Sequence, residues 1–210
     1  MPSSPKNKVV FWEVDTQADF MLPGGKLYVP GAEKRIPNMK RLVDAARAGK
    51  VFLVSSTDQH APDDPEFARF PPHCVRGTSG AEILPELRVA QPVFIANTAN
   101  ENAAKPLPGL DSIQQLVFEK QTLDVFDNPN TEKFLAQFPQ DSEFVVFGVV
   151  TEFCVRLAAK GLLERGRRVA LVTDAIETLD ATESRKTLDE LTHLGARLIT
   201  TDEALGLLER

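Results

Sequence analysis

The sequence predicts an α/β protein built on an open, mainly parallel six-stranded sheet with helices on both faces, a three-layer arrangement of the Rossmann type. Two observations support this prediction. Short runs of consecutive apolar residues alternate along the chain with segments of helical periodicity, and such strands are typical of parallel sheets covered on both faces. The repeated strand–helix–strand order then implies right-handed crossover connections.

Six apolar runs are predicted to form the strands: Val9–Val14, Val51–Val54, Leu116–Phe118, Phe144–Val150, Val169–Val172 and Leu198–Ile199. Three segments between them have an apolar stripe at helical spacing and a following glycine that ends it, and these are predicted to be helices: Ile36–Ala48, Glu152–Arg165 and Thr182–Leu194. The length of 210 residues fits one domain, so we expect a single domain over residues 1–210.

One region departs from this alternation. Residues 57–112 are rich in Pro, Asp and Asn, and within them only the run Val93–Ala96 suggests a strand. So long an irregular region is uncommon inside a compact domain and tends to carry function. We therefore interpret it as a loop-rich insertion beside the functional site.

Composition excludes several classes of protein. The chain has 24 Lys and Arg residues against 30 Asp and Glu residues, a formal net charge of −6. This balance argues against a nucleic-acid surface and against a polybasic membrane patch, and no apolar run approaches the roughly 20 residues of a membrane span. Two cysteines are too few for a disulfide framework, and the N-terminal residues lack the apolar core of a secretory signal. We expect a cytoplasmic protein with neither nucleic acid nor membrane as a partner.

Residues able to do chemistry follow four of the predicted strands. Asp15 follows the first strand, Asp58 and His60 the second, Lys120 the third and Cys154 the fourth. Ligands of open α/β sheets bind beyond the carboxyl ends of the strands. We therefore expect a carboxylate, an Asp-x-His pair, a lysine and a cysteine at one edge of the sheet.

Cys154 lies just inside the start of a predicted helix, where unpaired N–H groups and the helix dipole stabilise a thiolate. A nearby lysine would lower the pKa of the thiol further, and a carboxylate could take and return its proton. Asp15 is better placed for that role than Asp19, which we expect to tie its loop together through hydrogen bonds. Position alone leaves open the alternative that Cys154 is a small buried residue. The other cysteine, Cys74, is interpreted as structural.

Asp58, His60 and His73 form a second group of candidates, because imidazole and carboxylate groups suit a catalytic divalent metal. Asp64 and Glu66 lie between them in the sequence as further candidate ligands or water-mediated partners. Spacing alone leaves open the alternative that these are solvated polar residues of a proline-rich loop.

Three segments resemble the isochorismatase-like cysteine hydrolases, and within them the nicotinamidases. Val14–Phe20 resembles the opening Asp-x-Gln-x-Asp-Phe signature, Phe118–Lys120 fits the strand-end lysine, and Gly148–Val155 fits the segment with the nucleophile. Their order along the chain implies a catalytic triad of Asp15, Lys120 and Cys154.

Two more segments, Asp58–His60 and Phe70–Glu82, resemble the metal-binding region of the nicotinamidases. This implies one divalent metal ion, with zinc favoured over iron or manganese, held by Asp58, His60 and His73, while Glu66 falls near a further ligand of some members. Positions that supply aromatic walls around a pyridine ring match Phe20, Phe70 and, more loosely, Phe126. Residues 91–112 look longer than the corresponding nicotinamidase segment, and Glu152-Phe153 is not the commonest pair, which bears on the substrate.

The resemblance also implies a mechanism, in which an amide is hydrolysed through a Cys154 thioester. Asp15 would take the thiol proton, Lys120 would hold thiolate and carboxylate in register, and the N–H groups of Val150 and Cys154 would form the oxyanion hole. A cis peptide before Thr151, a metal that receives the pyridine nitrogen and a homo-oligomeric state are implied as well.

The predicted function is therefore that of a nicotinamidase, which converts the small amide nicotinamide to nicotinate and ammonia in NAD salvage. One alternative is a hydrolase of the same family that acts on another small amide or carbamoyl compound without a pyridine ring; finding no bound metal would favour it. The other is a thiol-based redox or binding protein, against which the missing Cys-x-x-Cys pair counts.

Overall fold

A parallel sheet organises the structure, a computed structural model that describes residues 9–98 and 113–209. Its strands are β1 (Val9–Val14), β2 (Phe52–Asp58), β3 (Val93–Ile95), β4 (Gln115–Lys120), β5 (Glu143–Gly148), β6 (Arg168–Ile176) and β7 (Arg197–Ile199). The helices are α1 (Ala18–Met21), α2 (Ile36–Arg47), α3 (Asn130–Leu135), α4 (Arg156–Glu164), α5 (Ala181–His193) and α6 (Thr201–Gly206). The strand order is β3-β4-β2-β1-β5-β6-β7, and all neighbouring strands among the described residues are parallel.

The predicted α/β class and parallel sheet are confirmed, but over the described residues the sheet has seven strands instead of six. The additional strand is β3, which pairs in parallel with β4 at the edge of the sheet. It coincides with the run Val93–Ala96, which suggested a strand but was not counted among the six because it is short and lies in the region interpreted as irregular. Residues 99–112 of that region lie outside the described residues, so the expectation about segment 91–112 stays a prediction.

Helices cover both faces of the sheet. On one face, apolar residues of α2 and α6, among them Met39, Leu42 and Ala204, pack with Phe11 of β1. On the other face, residues of α3, α4 and α5 pack around Trp12. Alternate residues of β1 thus face opposite cores, as expected of a strand buried on both sides.

The strand order reverses at β1, because β2 lies on one side of it and β5 on the other. A crevice at such a switch point is where open α/β sheets bind ligands. Gly148, the last residue of β5, has φ 124° and lies so close to β1 that an added Cβ would overlap the Val14 carbonyl. Glycine is therefore required where β5 leaves the sheet toward the crevice.

One carboxylate lies in the core of the sheet. Glu13 of β1 is fully buried and accepts hydrogen bonds from Thr16 Oγ1 (2.7 Å), Ser55 Oγ (2.6 Å) and Gln115 Nε2 (3.3 Å). Burial raises the pKa of Glu13 to about 7, although the hydroxyl hydrogen bonds oppose the shift. Its acid is therefore partly protonated near neutral pH.

No helix within residues 9–98 and 113–209 has the length and apolar character needed to cross a membrane.

Candidate active site

Lys120 is the centre of the site. It is the last residue of β4 and pairs in register with Asp58, the last residue of β2. Its ammonium is shut away from solvent and lies 2.9 Å from Asp15 Oδ2 and 3.5 Å from Cys154 Sγ, and it also forms an ion pair with Asp58. The structure thus brings the three predicted triad residues together, and it joins them to a predicted metal ligand.

Asp15 follows β1 in a left-handed backbone conformation, with φ 51°. Its N–H donates to the Ser56 carbonyl at 3.2 Å, and its Oδ1 accepts from Ser56 Oγ at 2.8 Å. Few residues other than glycine adopt such a φ, and those that do cluster at functional sites. The turn leaves Oδ2 facing Lys120.

Cys154 lies in a π-helical turn, Thr151–Val155, between β5 and α4. The position at a helix start agrees with the prediction, although the regular helix begins only at Arg156. The N–H and hydroxyl of Thr151 both donate to the Glu177 carbonyl at 2.8 Å, which joins the turn to the residues after β6.

The cis peptide expected before Thr151 is found one bond earlier, between Val149 and Val150. That prediction was wrong by one position. The backbone of Thr151 instead enters the helical turn directly, with its N–H bonded to Glu177.

Burial and the charges of neighbouring side chains together set the protonation of the triad. Burial would lower the pKa of Lys120, but the charges of Asp15 and Asp58 outweigh it and raise that pKa well above its ordinary value. Burial raises the pKa of the Cys154 thiol well above its ordinary value and also raises the pKa of Asp15, with Lys120 opposing both shifts. The resting proton therefore lies on sulfur, and Asp15 is a stronger base than an exposed aspartate.

Asp58, His60 and His73 converge as the sequence predicted. One ligand atom from each lies within 4.8 Å of the others, and all three residues are buried. Asp58 Oδ2 is 3.8 Å from His60 Nε2 and 3.7 Å from His73 Nε2. Within the described residues His60 Nε2 has no hydrogen-bond partner. Orphaned buried nitrogens next to a carboxylate fit a divalent metal, because a metal would satisfy them.

Backbone contacts hold these three residues in place. The side-chain amide of Gln17 fixes the backbone of Asp58, because it donates to the Asp58 carbonyl and accepts from the Asp58 N–H, both at 2.7 Å. The N–H of His60 donates to the Cys74 carbonyl at 3.1 Å, which brings His60 beside His73. Nδ1 of His73 lies 2.8 Å from the Pro71 carbonyl. Such contacts orient the ring nitrogens toward a common point.

Three further carboxylates near the Asp58, His60 and His73 group make different contacts. Asp64 Oδ2 lies 3.0 Å from His60 Nδ1, the ring nitrogen that faces away from Asp58. Glu66 lines the cavity beside this group but is not one of its three converging residues. Asp19 accepts from the N–H groups of Lys26 (3.0 Å) and Cys74 (2.8 Å), which is the loop-tying part expected of it.

A cavity of about 130 Å³ opens above Cys154. Its lining includes Asp15, Asp58, Glu66, His73, Val150 and Cys154 among the predicted residues, together with Phe20 and Phe70. The rings of Phe20 and Phe70 lie 5.4 and 6.4 Å from the His73 ring, measured between centroids. An apolar pocket of this size, lined by a cysteine and a few polar side chains, can bind a small substrate.

Phe126 was expected to be a third wall, and the structure places it elsewhere. Its ring packs 6.0 Å from Trp12 and under the Arg165 guanidinium at 3.8 Å, against Gly161 of α4. Phe126 belongs to a short turn that faces α4, so its ring fills the core beside that helix.

Six apolar residues of the cavity wall were not predicted: Leu27, Val29, Leu123, Val149, Phe153 and Leu179. Leu123 and Leu179 follow strand ends, which is the signal that found the triad. The signal was missed at Leu179 because β6 continues four residues beyond its predicted end, through the polar pair Thr173-Asp174.

Comparisons with known proteins are consistent with this geometry. The Isochorismatase domain matches the chain over residues 10–103 and 90–203. The nicotinamidase of Escherichia coli (strain K12) is 26% identical over 89% of this chain and 92% of that protein. The solved pyrazinamidase of Pyrococcus horikoshii, in complex with zinc, has a TM-score of 0.74 at 23% identity and covers 92% of this chain and 99% of that chain. The solved N-carbamoylsarcosine amidase from Thermoplasma acidophilum has a TM-score of 0.69 at 25% identity and covers 92% of this chain and 96% of that chain.

Proposed function

The chain belongs to the isochorismatase family, and on that premise we propose that it is a metal-dependent cysteine amidohydrolase of the nicotinamidase type. Its reaction would convert nicotinamide and water to nicotinate and ammonia. The observation that carries this proposal is the single buried cluster in which Lys120 contacts Asp15, Asp58 and Cys154. The similarity to a curated nicotinamidase over most of both chains supports the choice of amide.

Acylation begins when Asp15 takes the proton of the Cys154 thiol and the sulfur attacks the carboxamide carbon. The tetrahedral intermediate collapses with cleavage of the C–N bond, and the leaving nitrogen takes the proton from Asp15 to depart as ammonia. Lys120 stabilises both the thiolate and the carboxylate, since it contacts each of them.

Deacylation uses the same groups in the same places. Asp15 takes a proton from water, the resulting hydroxide attacks the thioester, and the sulfur leaves as a thiolate that recovers the proton. The N–H groups of Val150 and Cys154 are proposed as the oxyanion hole, where one donor contributes roughly 3–4 kcal/mol. Both residues line the cavity.

Asp58, His60 and His73 are proposed to hold one divalent metal ion, and Glu66 is the candidate further ligand. A ligand set of two imidazoles and a carboxylate suits zinc, with iron and manganese also accommodated. When bound, the metal would supply a Lewis acid that accepts the lone pair of a ring nitrogen. Phe20 and Phe70 would flank the ring of the substrate.

A second candidate function is hydrolysis of a carbamoyl compound or another small amide without a pyridine ring. It is favoured by the 25% identity to N-carbamoylsarcosine amidase over nearly all of both chains. The two candidates share the triad and differ in their need for a metal.

Ammonia release separates them. With nicotinamide, we expect metal-replete protein to release ammonia, a chelator to abolish the release, and added zinc, iron or manganese to restore it. Benzamide, which lacks the ring nitrogen, should be a poor substrate. Absence of release from nicotinamide by metal-replete protein would overturn the nicotinamidase proposal, and chelator-resistant release from N-carbamoylsarcosine would favour the second candidate.

A further inference from the structure

The loop that follows β6 contributes one residue to the cavity wall. Leu179 of this loop lines the cavity and is 50% exposed, so it lies at the mouth. An apolar side chain on an exposed loop has no core to fix its position. Something else must hold Leu179 where it borders the cavity.

Glu152 provides that hold. Its Oε2 accepts from Thr178 Oγ1 at 2.6 Å, and its Oε1 accepts from the N–H groups of Leu179 at 2.9 Å and Asp180 at 2.8 Å. Hydrogen bonds to a carboxylate are roughly twice as strong as neutral ones. Three of them converge on the loop from a residue two positions before Cys154.

The same loop is joined to the opposite wall of the cavity. Glu177 Oε2 accepts from Arg35 Nε at 2.9 Å, and its Oε1 accepts from the Thr178 N–H at 3.0 Å. Arg35 ends the segment that contributes Leu27 and Val29 to the cavity. Two loop segments of the cavity wall are therefore linked by ionic and hydrogen-bonded contacts.

We propose that Glu152 is a positioning residue for substrate selection, which holds Leu179 at the mouth so that the cavity admits a small flat ring and excludes bulkier amides. This deepens the proposed function and rests on it. Glu152 does not itself line the cavity but bonds to the backbone of Leu179, which does, so it acts on binding through Leu179. Contacts that hold ground state and transition state alike change KM and leave kcat unchanged.

A double-mutant cycle tests this route. Glu152→Ala and Leu179→Ala should each raise the KM for nicotinamide about tenfold, the range of a lost apolar pocket contact, with kcat changed less than about twofold. The double variant should match either single variant, because the two changes remove one function. Glu152→Gln keeps an oxygen for both loop N–H groups and should restore most of the affinity. Glu183→Ala, exposed on α5, is the matched control.

A second readout does not depend on turnover. In a Cys74→Ala background, Cys154 is alkylated with iodoacetamide and with the bulkier N-ethylmaleimide, and the ratio of the two rates is compared among variants. Loosening the mouth should raise the relative rate of the maleimide severalfold in Glu152→Ala and in Leu179→Ala. Thr178→Val removes one donor to Glu152 and should give a smaller rise in this ratio. This milder variant keeps the test possible if Glu152→Ala or Leu179→Ala unfolds the chain.

The outcomes separate this proposal from the proposed function. Additive KM effects, a fall in kcat with KM unchanged, or an unchanged alkylation ratio would each overturn the role of Glu152. If wild type releases no ammonia from nicotinamide while the alkylation ratio shifts as expected, the proposed substrate fails and the positioning role of Glu152 stands.

Discussion

Glu13 and Asp15 lie two residues apart on one chain segment, and both are shut away from solvent, yet their surroundings differ. Asp15 has the Lys120 ammonium 2.9 Å away, whereas the hydrogen bonds of Glu13 within the described residues come from hydroxyl and amide groups. Burial raises the pKa of both acids, but Lys120 opposes it at Asp15. A buried cation thus keeps the site ionic, while neutral donors leave a buried carboxylate close to the pH at which it takes up a proton.

Removing that cation should have the largest effect on stability. Lys120→Met leaves Asp15 and Asp58 as buried carboxylates without their counter-charge. We expect the free energy of unfolding of the metal-free protein to fall by about 3–5 kcal/mol at pH 7, the usual cost of breaking a buried ion pair. Urea denaturation of chelator-treated protein measures it.

Lys40→Met is the control for this variant, because Lys40 forms an exposed ion pair with Asp44. Lys40→Met should lower the free energy of unfolding by less than about 1 kcal/mol. Equal losses for the two variants would show that burial does not distinguish the pairs.

Glu13→Gln should remove a pH dependence from stability. The native pKa of about 7 lies above the ordinary 4.5, so the unfolded chain binds fewer protons between these values and stability falls as pH rises through that window. Above pH 7, ionisation of Glu13 lowers the free energy of unfolding by about 3 kcal/mol relative to its value at low pH. Glutamine fits the same donors, because its oxygen can accept from Ser55 and Gln115 while its amide donates to Thr16.

The comparison is made between pH 5 and pH 8 by chemical denaturation. The variant should gain stability relative to wild type as pH rises, with most of the gain between pH 5 and pH 7 and little further change above it. A difference that stays constant over this range would mean that Glu13 does not titrate in the native protein. Glu183→Gln, on the exposed face of α5, supplies the baseline.

Thr16→Val should have the smallest effect of the three. It removes the hydroxyl that donates to Glu13 at 2.7 Å while keeping the shape of the side chain. The loss should be about 1 kcal/mol at pH 5, where Glu13 is protonated, and about 2 kcal/mol at pH 8, where a charged acceptor loses its donor. Identical losses at both pH values would contradict the account of Glu13, and Thr182→Val is the exposed control.

The strand-end residues were predictable because parallel strands deliver their carboxyl ends to one edge of the sheet. Lys120 and Asp58 each follow a short apolar run, and this local signal was sufficient to place both at the edge of the sheet. In the structure they end neighbouring strands in register. The ion pair between them was not predicted, since register is a tertiary property that depends on which strands become neighbours.

The apolar wall of the cavity could not be predicted in the same way. Leu27 and Val29 come from a loop whose path is set by backbone hydrogen bonds to Asp19 and Phe20, and no periodicity marks such contacts. The opposite error occurred at Phe126, which was predicted to line the cavity and does not. Its turn faces α4, so its ring packs against Trp12 instead. Loop side chains take their place from tertiary contacts that local sequence does not encode.

Cys154 is proposed to act as the nucleophile of this strand-end cluster. Its most direct test is ammonia release from nicotinamide by metal-replete Cys154→Ala, with Cys74→Ala as the matched control, because Cys74 is buried outside the cavity lining. The account predicts that Cys154→Ala loses at least about a thousandfold in kcat, while Cys74→Ala stays within about threefold of wild type. Release by Cys154→Ala within about tenfold of wild type would contradict it.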